Sequence, residues 1–440
     1  MPSTESTPAP PARDPVTLIR AGAIDGFEQA SIDGPGTARP GAVVVGRQGG
    51  VIDAGPTAEM ERRYAADVQK TIEFPDRLIL PGMVNAHAHL ELTAIGPQPY
   101  GGDFIGWVAM LRQHWPGDGE PFAKTPSSVW FAQAAAAGAR QSLEAGVYAV
   151  GDITRFTEVA QARQDVGLGG VSFIEVFGMG PPWDAEGLAA IGRSSPTDGV
   201  QPHAPYSAGP ALFEAACGSG RPVSCHLAET HDEARFIAEG DGPFLELLES
   251  LGKWSPEFAA HYGRGLSPVR WMEPYLRRVP WLLAHCNYVS DDDIALLAET
   301  GASVAYCPIA SEYFGHHTSG GSGVSGGEHR YRDMLDAGIN VCLGTDSIVC
   351  QPPDEAQPLG ILPQMRRLYQ RDQTDPALLL RMATDHGQRA LARQGDTDVL
   401  MAVPFDAAEP TDPLKQTLQR HDAIETINTS DNVEQKETMT

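Results

Sequence analysis

The chain has 440 residues, 42% hydrophobic and 20% charged, which suits one large α/β domain with a smaller companion. Its 57 acidic residues against 32 basic ones leave a formal net charge of −25, which argues against partners such as nucleic acid or an anionic membrane surface. The six cysteines (Cys217, Cys225, Cys286, Cys307, Cys342, Cys350) form no Cys-x-x-Cys pair and mostly lie in apolar runs, so they read as reduced, buried thiols of a cytoplasmic protein.

Residues 1–14 are rich in Pro, Ser and Thr and lack an apolar h-region, so they read as a disordered leader. No apolar stretch approaches membrane-spanning length. Short strand-like runs at 17–21, 42–46, 50–54 and 70–74, broken by Gly, Pro and Asp, predict a small β-rich module. From 79 onward the rhythm changes. Strand-like runs at 78–87, 147–153, 171–177, 199–203, 222–226, 281–285, 303–306 and 340–344 alternate with amphipathic stretches such as 129–145, 211–217, 291–299 and 331–337. Eight strands, each followed by helical or long loop material, predict a (β/α)8 TIM barrel over 79–393.

Two segments interrupt that rhythm. Residues 92–125 follow the first strand and carry Trp107 and Trp115; residues 315–328 form a Gly/Ser-rich loop with His316 and His317. Long loops after barrel strands are where lids and substrate contacts sit, although a tolerated insertion explains the second equally well. After a helix at 376–393, a strand at 398–404 is expected to return to the β module. This gives a small β-sandwich domain of 15–78 plus 394–413, and a disordered tail over 414–440.

The chemistry-bearing residues cluster at predicted strand ends. His87 and His89, in Asn85-Ala86-His87-Ala88-His89-Leu90, are two residues apart on a strand and so face one side. His226 ends the fifth strand and Asp346 follows the eighth, and barrel strands all end on one face. Three neutral imidazoles and one carboxylate suit a borderline divalent cation, Zn2+ or Fe2+, with room left for water. Read singly, Asp346 in Gly-Thr-Asp-Ser is equally a helix N-cap, and Glu229 in His-Leu-Ala-Glu-Thr a first-turn glutamate. Read together, Glu229 sits beside the expected cation as a carboxyl able to take and give protons. His285, ending the sixth strand, could hold the attacking water or polarise the substrate. His203, flanked by Pro202 and Pro205 after the fourth strand, is a candidate substrate contact, and Glu91 and Trp107 join it in that role. No lysine occurs between Lys124 and Lys253, so a bridged two-metal site built on a modified lysine is disfavoured and one cation per chain is expected.

The motifs Pro-Gly-x-Val-Asn-x-His-x-His, Pro-His-Ala-Pro-Tyr-Ser, His-Leu-Ala-Glu-Thr, Ala-His-Cys and Leu-Gly-Thr-Asp-Ser occur in this order. Over roughly residues 16–393 the chain thereby resembles the deaminase and chlorohydrolase branch of the amidohydrolase superfamily, which includes cytosine, guanine and aminofutalosine deaminases. The resemblance implies a (β/α)8 barrel with a flanking β-sandwich, metal ligation by His87, His89, His226 and Asp346, acid/base work by Glu229, and water or substrate contacts from His285 and His203. Asn-Ala-His-Ala-His-Leu-Glu-Leu-Thr and Phe-Ile-Glu-Val-Phe-Gly are most similar to aminofutalosine deaminase-like enzymes, but Ile309 stands where that subgroup carries arginine.

The expected reaction is hydrolytic deamination of an amino-substituted heterocycle, a nucleobase or a nucleoside such as aminofutalosine. Metal-bound hydroxide would attack the amino-bearing carbon while Glu229, Asp346 and His285 manage protons and the tetrahedral centre. The same site could instead cleave a cyclic amide or a carbon–halogen bond, or persist as a catalytically silent metal-binding homologue. A small-molecule substrate is expected, with no nucleic acid or membrane partner and homo-oligomerisation left open.

Overall fold

A computed structural model of the chain describes residues 14–27, 38–116, 127–180, 183–254, 256–316, 329–392 and 399–430. The leader expected over 1–14 lies outside these residues except for Asp14, as do 317–328 of the Gly/Ser-rich loop and 431–440 of the tail. The chain divides into two compact units, Met1–Gly82 with Gly395–Thr440, and Met83–Gln394. In chain order the strands are β1 (Val16–Ile24), β2 (Gly41–Val45), β3 (Val51–Pro56), β4 (Val68–Pro81), β5 (Met83–Ala88), β6 (Val147–Thr154) and β7 (Gly169–Val176). They continue as β8 (Gly199–Pro202), β9 (Val223–Leu227), β10 (Trp281–His285), β11 (Ser303–Tyr306), β12 (Asn340–Leu343), β13 (Val399–Pro404) and β14 (Glu425–Asn428).

The first unit is a six-stranded sheet in the order β14-β13-β4-β1-β2-β3, with only the β1–β4 pair parallel. Alternation along β1 sends Val16 and Leu18 into one apolar cluster and Ile19 and Ala21 into another on the opposite face. Two expectations are corrected here. The run at 78–87 is not one strand: Leu78–Pro81 pair with β13, whereas Met83 onward pairs with β6. Both halves are buried and equally apolar, so the pattern carries no mark of the change of partner; Pro81-Gly82 is its only trace. The tail expected to be disordered from 414 instead forms a helix, Pro413–Gln419, and strand β14 against β13. Asp412 caps that helix by accepting from the Lys415 N–H, and Leu414 and Leu418 are buried, a start signal too short to stand out from a polar segment.

The second unit is an all-parallel sheet in the order β5 to β12. Its strands are buried on both faces and read as continuous apolar runs, because helices cover the outside. The helix Ser128–Glu144 shows how: Phe131, Ala134, Ala135, Gly138, Ala139 and Ser142 form one buried stripe, and the Ser127 side chain caps its first turn. The helix Asp291–Thr300 begins in a capping box between Ser290 and Asp293 and ends at left-handed Gly301.

The barrel closes between β5 and the end of β12. Thr345 and Asp346 donate their backbone N–H groups to His87 O, both at 3.0 Å, and the His89 N–H donates to Asp346 O at 3.0 Å. Asn85 adds two side-chain bonds, donating to Thr345 Oγ1 at 2.8 Å and accepting from the Thr345 N–H at 3.1 Å. Gly344 is required at this seam, since a Cβ there would lie 2.9 Å from both Cys307 Sγ and His87 Cβ. Replacing Asn85 by alanine removes both side-chain bonds within a buried seam. The expected loss is about 1–3 kcal/mol, read as a lower urea midpoint with unchanged slope; an unaltered midpoint would show that the seam does not depend on Asn85.

Candidate metal and catalytic site

The strand ends bring the histidines together. Nε2 of His89 lies 3.2 Å from Nε2 of His226, and Asp346 Oδ1 lies 3.6 Å from His89 Nε2 and 3.9 Å from His87 Nε2. The His87 ring is 5.2 Å from that of His89, 5.0 Å from His226 and 5.4 Å from His285. Donors about 2.0–2.1 Å from a tetrahedrally held ion stand roughly 3.3 Å apart, so these separations are those of ligands around a shared cation. Two observations fit that use. His87 is fully buried, yet neither ring nitrogen has a hydrogen-bond partner among the described residues. His226 has Nδ1 3.0 Å from the backbone carbonyl of His203, which takes the Nδ1 proton and leaves Nε2 a bare lone pair facing His89. His87, His89, Asp346 and, from the other side, His226 and His285 therefore could hold a metal ion.

The electrostatics agree. Burial holds the His87 and His89 imidazoles well below their usual range, with neighbouring His226 adding to the effect, and burial pushes His226 down to about 4. All three are neutral near pH 7 and available as ligands. Burial also pushes Asp346 up to about 7, against an opposing hydrogen bond from the Cys350 thiol. Glu229 is raised well above the carboxylate range by burial, then by Asp346 and Glu233. It lies 3.6 Å from His285 Nε2 and belongs to a close group with His285 and Asp346.

The backbone at this rim is strained. Ala228 (φ 51°), His285 (73°), Cys286 (50°) and Asp346 (59°) are non-glycine residues in the left-handed region. His226 is in register with Ala284, so a regular strand would turn His285 away; its left-handed backbone breaks the alternation and leaves the two rings 5.5 Å apart. Glu233, fully buried, fixes the turn that carries Glu229. Its carboxylate accepts the N–H groups of Ala228 at 3.0 Å and Glu229 at 2.8 Å, while Asn287 donates to Glu229 O at 3.0 Å.

The remaining sequence candidates fall into two places. His203 lies beside the cluster, its ring 4.8 Å from His226. Glu91 is buried, accepts from Thr154 Oγ1 at 3.0 Å and the Arg155 N–H at 3.1 Å, and sits 3.8 Å from Arg155 Nε. Trp107 donates to the Tyr313 hydroxyl at 2.9 Å within an aromatic cluster with Phe104 and Phe314. That cluster reaches the metal group through Cys350, which packs in it and bonds Asp346. Sequence reasoning missed Glu233, Arg155 and Glu175. An i, i+4 Glu pair after His-Leu-Ala was the available signal for Glu233, and none existed for Arg155.

The sequence profile of the amidohydrolase family matches residues 78–398. The chain is 29% identical over 397 residues to the aminodeoxyfutalosine deaminase of Deinococcus radiodurans, spanning 81% of this chain and 84% of that protein. It is 28% identical over 340 residues to the 5-methylthioadenosine/S-adenosylhomocysteine deaminase of Symbiobacterium thermophilum, spanning 73% of this chain and 68% of that protein. The crystal structure of a zinc-bound adenosine deaminase from Xanthomonas campestris superposes with a TM-score of 0.68 at 22% identity, covering 96% of this chain and 93% of that one. Among the described residues, no helix is long and apolar enough to cross a membrane.

Because Asp346 without a cation titrates at about 7, much of it is protonated at pH 6, and a cation must displace that proton to engage the carboxylate. Calorimetric titration of metal-free protein with zinc at pH 6, in buffers of different ionisation enthalpy, should therefore report proton release, and less of it for Asp346→Asn. Equal release from the two proteins would place Asp346 outside the ligand set.

Proposed function

The chain belongs to the amidohydrolase family, and we propose that it hydrolytically deaminates the 6-amino group of an adenine nucleoside. The observation that carries this reading is the grouping of Glu229 with His285 and Asp346 beside the buried histidines. His87, His89, His226 and Asp346 are the proposed ligands of one divalent cation per chain, zinc or iron; zinc is the ion bound by the Xanthomonas campestris neighbour. When bound, such a cation supplies Lewis acidity and brings the ionisation of a nearby water toward neutral pH.

The chain's own residues then divide the proton work. Asp346 accepts a proton as the water oxygen closes on the amino-bearing carbon. Glu229, kept protonated by burial, places its proton on the adjacent ring nitrogen, regains one from the hydroxyl of the tetrahedral centre and passes it to the departing amine. The proton held by Asp346 then returns to Glu229, so that a C–O bond replaces a C–N bond, ammonia leaves and both carboxyls regain their starting states. His285, neutral because burial holds it well below its usual range, hydrogen-bonds the developing tetrahedral centre. The clamp of Glu233 and Asn287 on the 228–229 backbone keeps Glu229 at that position. The buried setting excludes bulk water, which strengthens each of these contacts.

Metal-loaded protein should release ammonia from adenosine-type nucleosides. In Glu229→Gln the rate should fall by about 10²–10⁴-fold with metal content unchanged, as measured by coupled ammonia assay and elemental analysis. Wild-type activity in that variant would remove Glu229 from the mechanism.

A further inference from the structure

The peptide unit between His285 and Cys286 is gripped at both ends. Its N–H, on Cys286, donates to Leu227 O at 2.9 Å. Its carbonyl, on His285, lies 2.9 Å from Nε2 of His329. A carbonyl oxygen only accepts, so Nε2 of His329 carries a proton and donates it. The orientation of this peptide unit governs where the His285 ring goes. It follows a residue at φ 73° and precedes one at φ 50°, two successive left-handed conformations that non-glycine residues keep only where the surroundings compel them.

His329 is itself held. It is buried, 44 residues along the chain from His285, and stands just before the helix Tyr331–Asp336. Its ring lies on that of Tyr306, the last residue of β11, with centroids 3.7 Å apart and 15° between the planes. Tyr306 is fully buried, and its hydroxyl accepts from Arg371 Nη2 at 3.0 Å. Arg371, on the helix Ile361–Asp372, donates in turn to Glu312 Oε1 at 3.0 Å and to Asp372 Oδ1 at 2.6 Å. A chain of contacts thus runs inward from Arg371 to Tyr306, from Tyr306 to His329, and from His329 to the His285 carbonyl.

We propose that His329 is a positioning residue for the reaction: its bond to the His285 carbonyl holds the left-handed backbone that turns the His285 ring toward Glu229 and the tetrahedral centre. Nε2 of that ring lies 3.6 Å from Glu229 Oε1. Were the backbone at His285 to relax to regular strand, side-chain alternation would carry the ring away from this point. The inference rests on the reading of His285 as the group that bonds the tetrahedral centre, and adds what keeps it there. The competing role for His329 is core filling beside Tyr306, which needs the ring but not the donor.

Two substitutions separate donor from ring. His329→Phe keeps the stack and removes the donor; His329→Gln gives up the ring and keeps an N–H at similar reach. In crystal structures of the metal-loaded variants, His285 should stay left-handed in His329→Gln. In His329→Phe its backbone should leave that region, or its ring turn from Glu229. For ammonia release from adenosine, His329→Phe should lower kcat about 10–100-fold with KM within about twofold, and His329→Gln should recover most of the loss. In a His285→Ala background the same His329→Phe change should cost no more than about twofold, because the residue it positions is gone. Should His329→Phe fail to fold, judged by urea midpoint and metal content, His329→Leu takes its place as the variant without a donor. An unmoved His285 in the donor-less variant, equal losses in the Phe and Gln variants, or a full further loss in the His285→Ala background would each overturn the proposal. If the wild-type protein releases no ammonia from adenine nucleosides, the deaminase reading fails on its own, and the geometry of His285 in the two crystal structures decides the role of His329.

Discussion

The hydrogen bonds that join β5 to the end of β12 are the constraint on which the site depends. Asp346 lies more than 250 positions from His87 and His89 in the chain, and they meet because the last strand is sewn to the first at Asn85–Thr345 and at the backbone of His87 and His89. The seam also dictates composition. Gly344 has no alternative where Cys307 and His87 crowd the backbone, and Asn85 supplies both a donor and an acceptor that no apolar residue could replace. In a parallel barrel the strands end on one face, so closing the ring converts eight local sequence features into one locus.

That locus is electrostatically expensive without a cation. Its imidazoles are held neutral by burial, and its carboxyls, Asp346 and Glu229, are pushed toward the protonated state. The backbone adds its own cost, with left-handed conformations at Ala228, His285, Cys286 and Asp346 of about 1–3 kcal/mol each. Such costs persist only where the surroundings over-determine the geometry. Here Glu233 and Asn287 clamp the Ala228–Glu229 turn, and Asn287 is itself held by the Ser311 hydroxyl at 2.8 Å. Positive charge placed among these groups relieves the carboxylates and uses the bare lone pairs at once, which is why the donor set and the strain point to the same chemistry.

The barrel and the proposed ligands were legible in sequence because their signals are local. His-x-His at a strand end, His-Leu-Ala-Glu and Gly-Thr-Asp each combine a chemical residue with a strand terminus, and strand termini are marked by apolar runs. The second layer carried no such mark. Arg155 follows Asp-Ile-Thr, a setting no different from many surface loops, and its meaning comes only from Trp115, Phe177, Glu91 and Glu175, which no spacing rule brings together. The same limit explains the change of sheet partner at Pro81-Gly82, where two buried strands in series look like one. It also explains the ordered tail: the helix Pro413–Gln419 is only two turns long, and its order derives from packing of Leu414 and Leu418 in place of any long periodic pattern.

His226 shows how one residue can separate the two halves of such a site. Its Nε2 side faces His89 and groups with His87 and His285; its Nδ1 side gives its proton to His203 O and borders Gln201. The carbonyl that fixes this tautomer belongs to His203, the residue whose own ring is fixed by Ser207 and Phe177. A shift of His203 toward a substrate would therefore change the orientation of His226 on the other side of the bond. Rigidity of the Trp115–Arg155–Phe177–His203 stack is what prevents this, since each ring or guanidinium is flanked by the next at 4.6–4.9 Å. The ion network around Arg155 is thus coupled to the ligand cluster by geometry alone, through one backbone carbonyl. It follows that loosening the stack should disturb the imidazole most exposed to it, His226, before it disturbs His87 and His89, which are anchored by the barrel seam.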